Sequence, residues 1–309
     1  MQTIECQCAR ANLSIYWRGF SLLFCFLVTL SAKAVIPEWW KEVHHYNEAT
    51  DWHEYYTYAT SYFGPNAIPV PEILDGRIPQ THKEEVSTDF FWGFGDQTQS
   101  LSTRLTYTLI PGRFAVSGFG VLAEHYKTTM EVRDQRASME KDGEQTLLIG
   151  DFYISTLIRL LQEKRYCPDV VLEIALKTAS SETPRSARYI DSPGYYFDFT
   201  TGKSLYFKHS YIHELRLVGM IGFFCYQLQN SQQNDAPLFG GKMVLSSDKW
   251  SLENGIAGYS GWLDKGDCPL VLRSKLNMKS GSWNYFLQYQ HALRDYPFRR
   301  IQVGVNFDF

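Results

Sequence analysis

The chain has 309 residues, 44% of them hydrophobic and 20% charged, with 30 Lys+Arg against 33 Asp+Glu and a formal charge of −3. That composition excludes a disordered polar polymer. With no basic block, nothing favours a nucleic-acid partner, whose phosphates demand a concentrated positive stripe. Twenty Tyr, 20 Phe and 8 Trp suit a large all-β protein, a carbohydrate binder or a membrane barrel with aromatic girdles.

Residues 1–34 read as an export signal. Arg18 precedes the apolar run 20–31, and Ala32-Lys33-Ala34 supplies a small-x-small cleavage site. The run is about 12 residues, short of the roughly 20 a spanning helix needs, so no helical span is expected in the mature chain. Cys6 and Cys8 are odd in an export signal, which leaves open a downstream start codon, and the competing reading is a buried helix of a cytosolic protein. Cys25 lacks the small residues before it that lipid attachment wants. The mature chain keeps Cys167, Cys225 and Cys268. These are sparse and unpaired in sequence, so neither a disulfide framework nor a zinc site is indicated; one disulfide stays open beside the plainer reading of free thiols, and no cofactor is expected.

Residues 35–85 form an arm without strand periodicity. It carries Trp39, Trp40, His44, His45, Trp52, His53, Tyr55, Tyr56 and Tyr58, followed by Phe63-Gly-Pro-Asn-Ala-Ile-Pro-Val-Pro71. The prolines force an extended path and remove backbone donors, so this stretch cannot be a mid-sheet strand.

From about residue 99 to the C-terminus the dominant pattern has period two, which places alternate side chains on opposite faces of a strand. The last segment shows it best: Ile301, Val303, Val305, Phe307 and Phe309 alternate with Arg300, Gln302, Gly304, Asn306 and Asp308. Strands are predicted at 86–96, 99–110, 112–126, 147–162, 169–180, 194–206, 211–228, 237–246, 250–263, 268–279, 282–294 and 297–309. Residues 113–126 and 211–228 fit less cleanly, with apolar side chains on both faces. Most of these strands exceed the 5 to 6 residues typical of globular sheets and match the roughly 9 to 11 of a tilted strand crossing a bilayer. Short connections such as 109–112, 163–168, 207–210, 246–249 and 279–282 fall at one end, and the longer 127–145, 181–193 and 229–236 at the other, the habit of outer-membrane barrels.

The fold class expected is therefore all-β: a transmembrane antiparallel up-and-down β-barrel of about 12 strands, within a range of 10 to 14, over residues 86–309. The arm 35–85 either sits in the periplasm or plugs the lumen. Its aromatics and histidines admit a sugar-site reading beside the plainer one, that they pack the arm against the barrel. Charges facing lipid at mid-depth cost roughly 2 to 4 kcal/mol each, so those on the polar phase must face inward. The lumen-lining candidates are Arg104, Asp151, Arg159, Glu173, Lys177, Glu214, Arg216, Arg273, Lys275 and Arg300. Arg188 and Asp191, beside the turn-forming Pro193-Gly194, are candidates for a loop at the extracellular mouth.

The export signal, the alternating strands and the terminal Val303-Gly-Val-Asn-Phe-Asp-Phe309 resemble the outer-membrane β-barrel proteins of Gram-negative bacteria. The Pro-rich arm and the Tyr/Phe-rich strands look like barrels of the Bacteroidetes type. The resemblance implies export across the inner membrane to the outer membrane and contact with its lipid. It also implies an assembly signal at Val303, Val305, Phe307 and Phe309, read by the barrel-assembly machinery.

Function divides three ways. Inward charges of both signs either line a narrow channel for small polar or charged solutes, or pair across the lumen and leave a closed structural or surface-interaction barrel. An outer-membrane lipid hydrolase is the third reading and the least supported. Lys208-His209-Ser210-Tyr211-Ile212-His213-Glu214 offers the residue types of a relay, but on a strand His209 and His213 share a face with each other and not with Ser210 or Glu214. No catalytic or metal-ligating residue is assigned.

Overall fold

The computed structural model describes residues 36–181, 184–190, 192–208, 210–226, 235–261 and 267–309. Its sheet strands are β1 (Lys83–Gly93), β2 (Asp96–Ile110), β3 (Phe114–Thr128), β4 (Glu144–Leu148), β5 (Phe152–Leu161), β6 (Asp169–Lys177) and β7 (Gly194–Tyr206). They continue with β8 (Glu214–Tyr226), β9 (Ala236–Ser246), β10 (Trp250–Tyr259), β11 (Leu270–Ser280), β12 (Trp283–Arg294) and β13 (Arg299–Asp308). Each strand pairs antiparallel with the next, except that β5 pairs with β3 and not with β4, and β1 closes the sheet by pairing with both β2 and β13. Twelve strands thus close a barrel, and β4 is an extra strand against the upper part of β3.

The alternation in sequence is the alternation of faces. Along β12, Trp283, Tyr285, Leu287 and Tyr289 are exposed, whereas Phe286, Gln288 and Gln290 are buried. On β13, Ile301 and Val303 are exposed and Gln302 and Asn306 buried. A belt of exposed Leu, Ile, Val and aromatic side chains therefore surrounds a polar interior, the reverse of a water-soluble sheet.

The two irregular stretches have separate causes. In β3 the register shifts where Leu101 faces Ala123 and Ser102 faces Val121, which leaves Leu122 as an extra residue. Such a bulge changes the inward phase from Ala115, Ser117 and Val121 below it to Glu124, Tyr126 and Thr128 above it. In β8 the phase is regular, but the inward Val218, Met220 and Phe224 are apolar.

What meets these inward residues is the arm. Helix α1 (Glu38–His44) ties to the long-loop end, where the Trp40 indole donates to the Ala137 carbonyl at 2.8 Å. Ala137 follows α2 (Met130–Gln135), itself capped by Thr129. The chain then descends through the barrel. The Gly64 amide donates to the Ala187 carbonyl at 3.0 Å, and at the other end the Gly112 amide of the β2–β3 turn donates to the Pro79 carbonyl at 3.1 Å. Between them the prolines offer carbonyls and no N–H, and inward side chains supply the donors. The Tyr296 hydroxyl bonds the Pro65 carbonyl at 2.9 Å, and the Arg273 guanidinium bonds those of Pro71 at 2.8 Å and Val70 at 2.5 Å. Arg216 Nε bonds the Asp75 carbonyl at 2.9 Å. Near the short-turn end Ile78 packs on Ala115, Leu157 and Val171.

Candidate functional site: the arm-filled lumen

The upper lumen is shut by a buried ion network. Arg188, on the β6–β7 connection, donates to Asp96 at 2.5 Å, to Glu124 at 2.9 Å and to the Thr98 hydroxyl, and its Cζ lies 4.3 Å over the Tyr126 ring. Arg136 reaches the same Asp96 at 2.5 Å. Glu124 also accepts from the Tyr189 hydroxyl at 2.9 Å and from the Asn66 amide at 2.7 Å. Two guanidiniums meet two carboxylates nearly free of solvent, each charge compensated only while all stay in place, although Arg136 Nε and Nη2 are buried without a hydrogen-bond partner among the described residues. Gly64 is required there, since a Cβ would stand 2.7 Å from Arg188 Cζ and 2.8 Å from its carbonyl oxygen.

The candidate lining residues separate by height. Lys177 pairs with Asp151 at 2.5 Å near the long-loop end. At mid-height Arg300 binds Glu72 of the arm at 3.0 Å and lies 3.5 Å from Asp89, while Arg104 stacks over Phe119 at 3.7 Å. Glu173 is buried on β6 directly across from Asp198 of β7. Lower down Lys275 stands 3.8 Å from Glu85 and 3.9 Å over the Phe286 ring. At the short-turn end Arg216 binds Glu163 at 2.9 Å and Asp169 at 3.1 Å. There Arg77 of the arm bonds Glu214 and Ser204, and Arg159 lies beside Gln80. Burial works against the charge of Glu163, but the Ser204 amide and the Arg216 and Lys203 side chains outweigh it and hold the carboxyl below the ordinary carboxylate range.

Arg188 is expected from sequence in a loop at the extracellular mouth. The structure instead buries its guanidinium completely, because the loop carrying it folds inward onto Asp96 and Glu124. Asp191 and His209 lie outside the described residues. Ser210 Oγ accepts the Ile212 amide at 3.3 Å, and His213 faces Asp248 at 3.6 Å. Val303 and Phe309 are exposed on the outer face, and Phe307 packs on Trp283 with ring centres 4.6 Å apart. Residues that sequence reasoning did not single out include Glu72 and Arg77 of the arm, Asp96, Glu124 and Arg136. Asp96 lies on the polar phase of β2, whereas the bulge hides the phase of Glu124.

The arm leaves open space on either side of itself. A cavity of about 150 Å³ lies between residues 65–72 and the wall formed by Phe91, Arg104, Phe119, Tyr153 and Tyr196. A larger one of about 410 Å³ is lined by Lys83, Lys242, Glu253, Lys275, Lys279 and Glu214 toward the short-turn end. Glu72 and Arg273 border both.

No protein-family model matches the chain, and no curated protein is similar to it in sequence. Among solved structures, an outer membrane channel from Pseudomonas putida F1 is similar, with a TM-score of 0.52 at 12% identity over 77% of this chain and 100% of that one. The transport unit of the autotransporter AIDA-I from Escherichia coli gives 0.47 at 9% identity over 79% and 94%. KdgM porin gives 0.42 at 10% identity over 73% and 99%. The fold is that of the outer-membrane β-barrels.

Proposed function

We propose that this protein is a narrow outer-membrane pore for small polar or charged solutes, held shut by its own arm. The observation that carries the reading is the 410 Å³ polar cavity beside the arm, bounded above by Glu72 and Arg273, where the charge-bearing wall and the arm meet. The exposed apolar belt supports residence in lipid, with residues 1–34 as the export signal and the short-turn end toward the periplasm. The similar Pseudomonas putida fold is a channel by its name, which agrees with this reading. The terminal strand is the segment offered to the barrel-assembly machinery.

Planar-bilayer recording tests the pore. The parent should give rare, small steps. Glu72→Gln combined with Arg77→Gln removes two anchors of the arm and should raise open probability about ten-fold or more, since each charge-assisted bond is worth roughly 1.5–3 kcal/mol. Silence in both proteins, each folded by its heat-shifted gel mobility, would overturn the pore. The ion network of Arg188, Arg136, Asp96 and Glu124 favours the second reading, a closed structural or surface-interaction barrel, which that silence would leave standing.

A further inference from the structure

The smaller cavity contains a charged group with no direct hydrogen-bond or ion-pair partner among the described residues. Arg104 of β2, Phe119 of β3 and Tyr153 of β5 are successive cross-strand neighbours at one height inside the barrel. The Arg104 guanidinium lies 3.7 Å over the Phe119 ring, and Phe119 stacks on Tyr153 with centroids 4.9 Å apart and planes 6° from parallel. Among the described residues Arg104 makes no hydrogen bond and no ion pair. The acids whose field it feels, Glu173, Glu72 and Glu85, stand farther off. The Tyr153 hydroxyl is buried without a hydrogen-bond partner, in a side chain that is 8% exposed. Both residues line the same cavity.

A guanidinium is a planar fork that fits a carboxylate through two parallel bonds, and leaving it unmet inside a protein is costly. Of the neighbouring carboxylates, Glu72 and Asp89 are engaged by Arg300, Glu85 by Lys275 and Asp151 by Lys177, while Glu173, whose field also reaches Arg104, does not line the cavity. The rest of the wall is aromatic, with Phe91, Tyr196 and Phe224. At about 150 Å³ the cavity has the size of one known to admit benzene when its lining is apolar. We infer that this cavity is a binding site for a small planar organic carboxylate, its carboxylate on Arg104 and the Tyr153 hydroxyl and its ring against the aromatic wall. Glu72 and Arg273 stand where the two cavities meet, so a solute would enter past them from the larger one. The site goes beyond the pore reading and needs no conductance to be filled.

Equilibrium dialysis of labelled benzoate against the full chain in detergent, corrected for empty micelles, tests it. Benzoate should bind saturably, and benzamide and benzylammonium at least about ten-fold more weakly. Arg104→Gln should weaken benzoate by about ten-fold or more, and Arg104→Lys by less, because an ammonium lacks the fork. Tyr153→Phe removes one donor and should weaken it about three- to ten-fold. No saturable uptake, benzamide bound as tightly as benzoate, or R104Q equal to the parent would each overturn the site. Should R104Q fail to fold, R104K and Y153F both matching the parent would do so. Bilayer recording and dialysis read different things, so a silent barrel that binds benzoate defeats the pore alone, and a conducting barrel that does not bind it defeats this site alone.

Discussion

Arg188 and Glu163 carry opposite ends of the lumen with different exposure, and the difference decides what each contributes. Removing one member of a buried ion cluster leaves an uncompensated charge, at roughly 3–5 kcal/mol. Arg188→Ala should therefore lower the unfolding free energy extracted from a urea titration by an amount in that range, read by loss of the heat-shifted gel form, and a variant as stable as the parent would remove the cluster from the account. Glu163 sits in the half-solvated β5–β6 turn with its carboxyl held below the usual range. A depressed folded value means stability present above the ordinary carboxylate pKa and lost as pH falls through the folded one. Acidification below about 4 should thus loosen Arg216 and the lower arm, seen as faster proteolysis near residues 72–80. Glu163→Gln should start looser and change less with acid.

At the scale of the element, the sign of a one-residue change depends on where it falls. Leu122 is the extra residue of β3, and its deletion keeps Glu124 and Tyr126 in the inward phase. Ile174 lies in a regular ladder between β5 and β7, so its deletion turns half of β6 over and sends Glu173 or Ala175 to the wrong face. We expect the Leu122 deletion to yield heat-shifted, folded barrel and the Ile174 deletion to yield little, with equal yields arguing against the register. The same physics sets what could be read from the sequence. Most of the barrel strands announce themselves by period two, within a few residues of their observed ends. β4 does not, because its five residues leave no room for a period inside the long 127–145 connection. The bulge blurs β3, and β8 carries apolar residues on both faces because its inward ones are buried inside the barrel.

For the whole molecule, the polar phase located the inward charges but not their partners. Glu72 and Arg77 lie in a segment whose prolines erase any period, so their meeting with Arg300 and Glu214 is a property of the closed barrel and not of local sequence. Arg188 misled for the same reason: a polar loop residue reads as exposed until the loop is seen to turn inward. The central claim is that lipid touches one face of every strand and the arm-filled interior the other. Single cysteines placed along β12 at positions 285 to 290, in a background with all six native cysteines replaced, can be labelled with bimane and quenched by brominated lipid. Quenching should be strong at 285, 287 and 289 and weak at 286, 288 and 290. Uniform quenching along the strand, or equal reactivity of all six toward a water-borne thiol reagent, would contradict it.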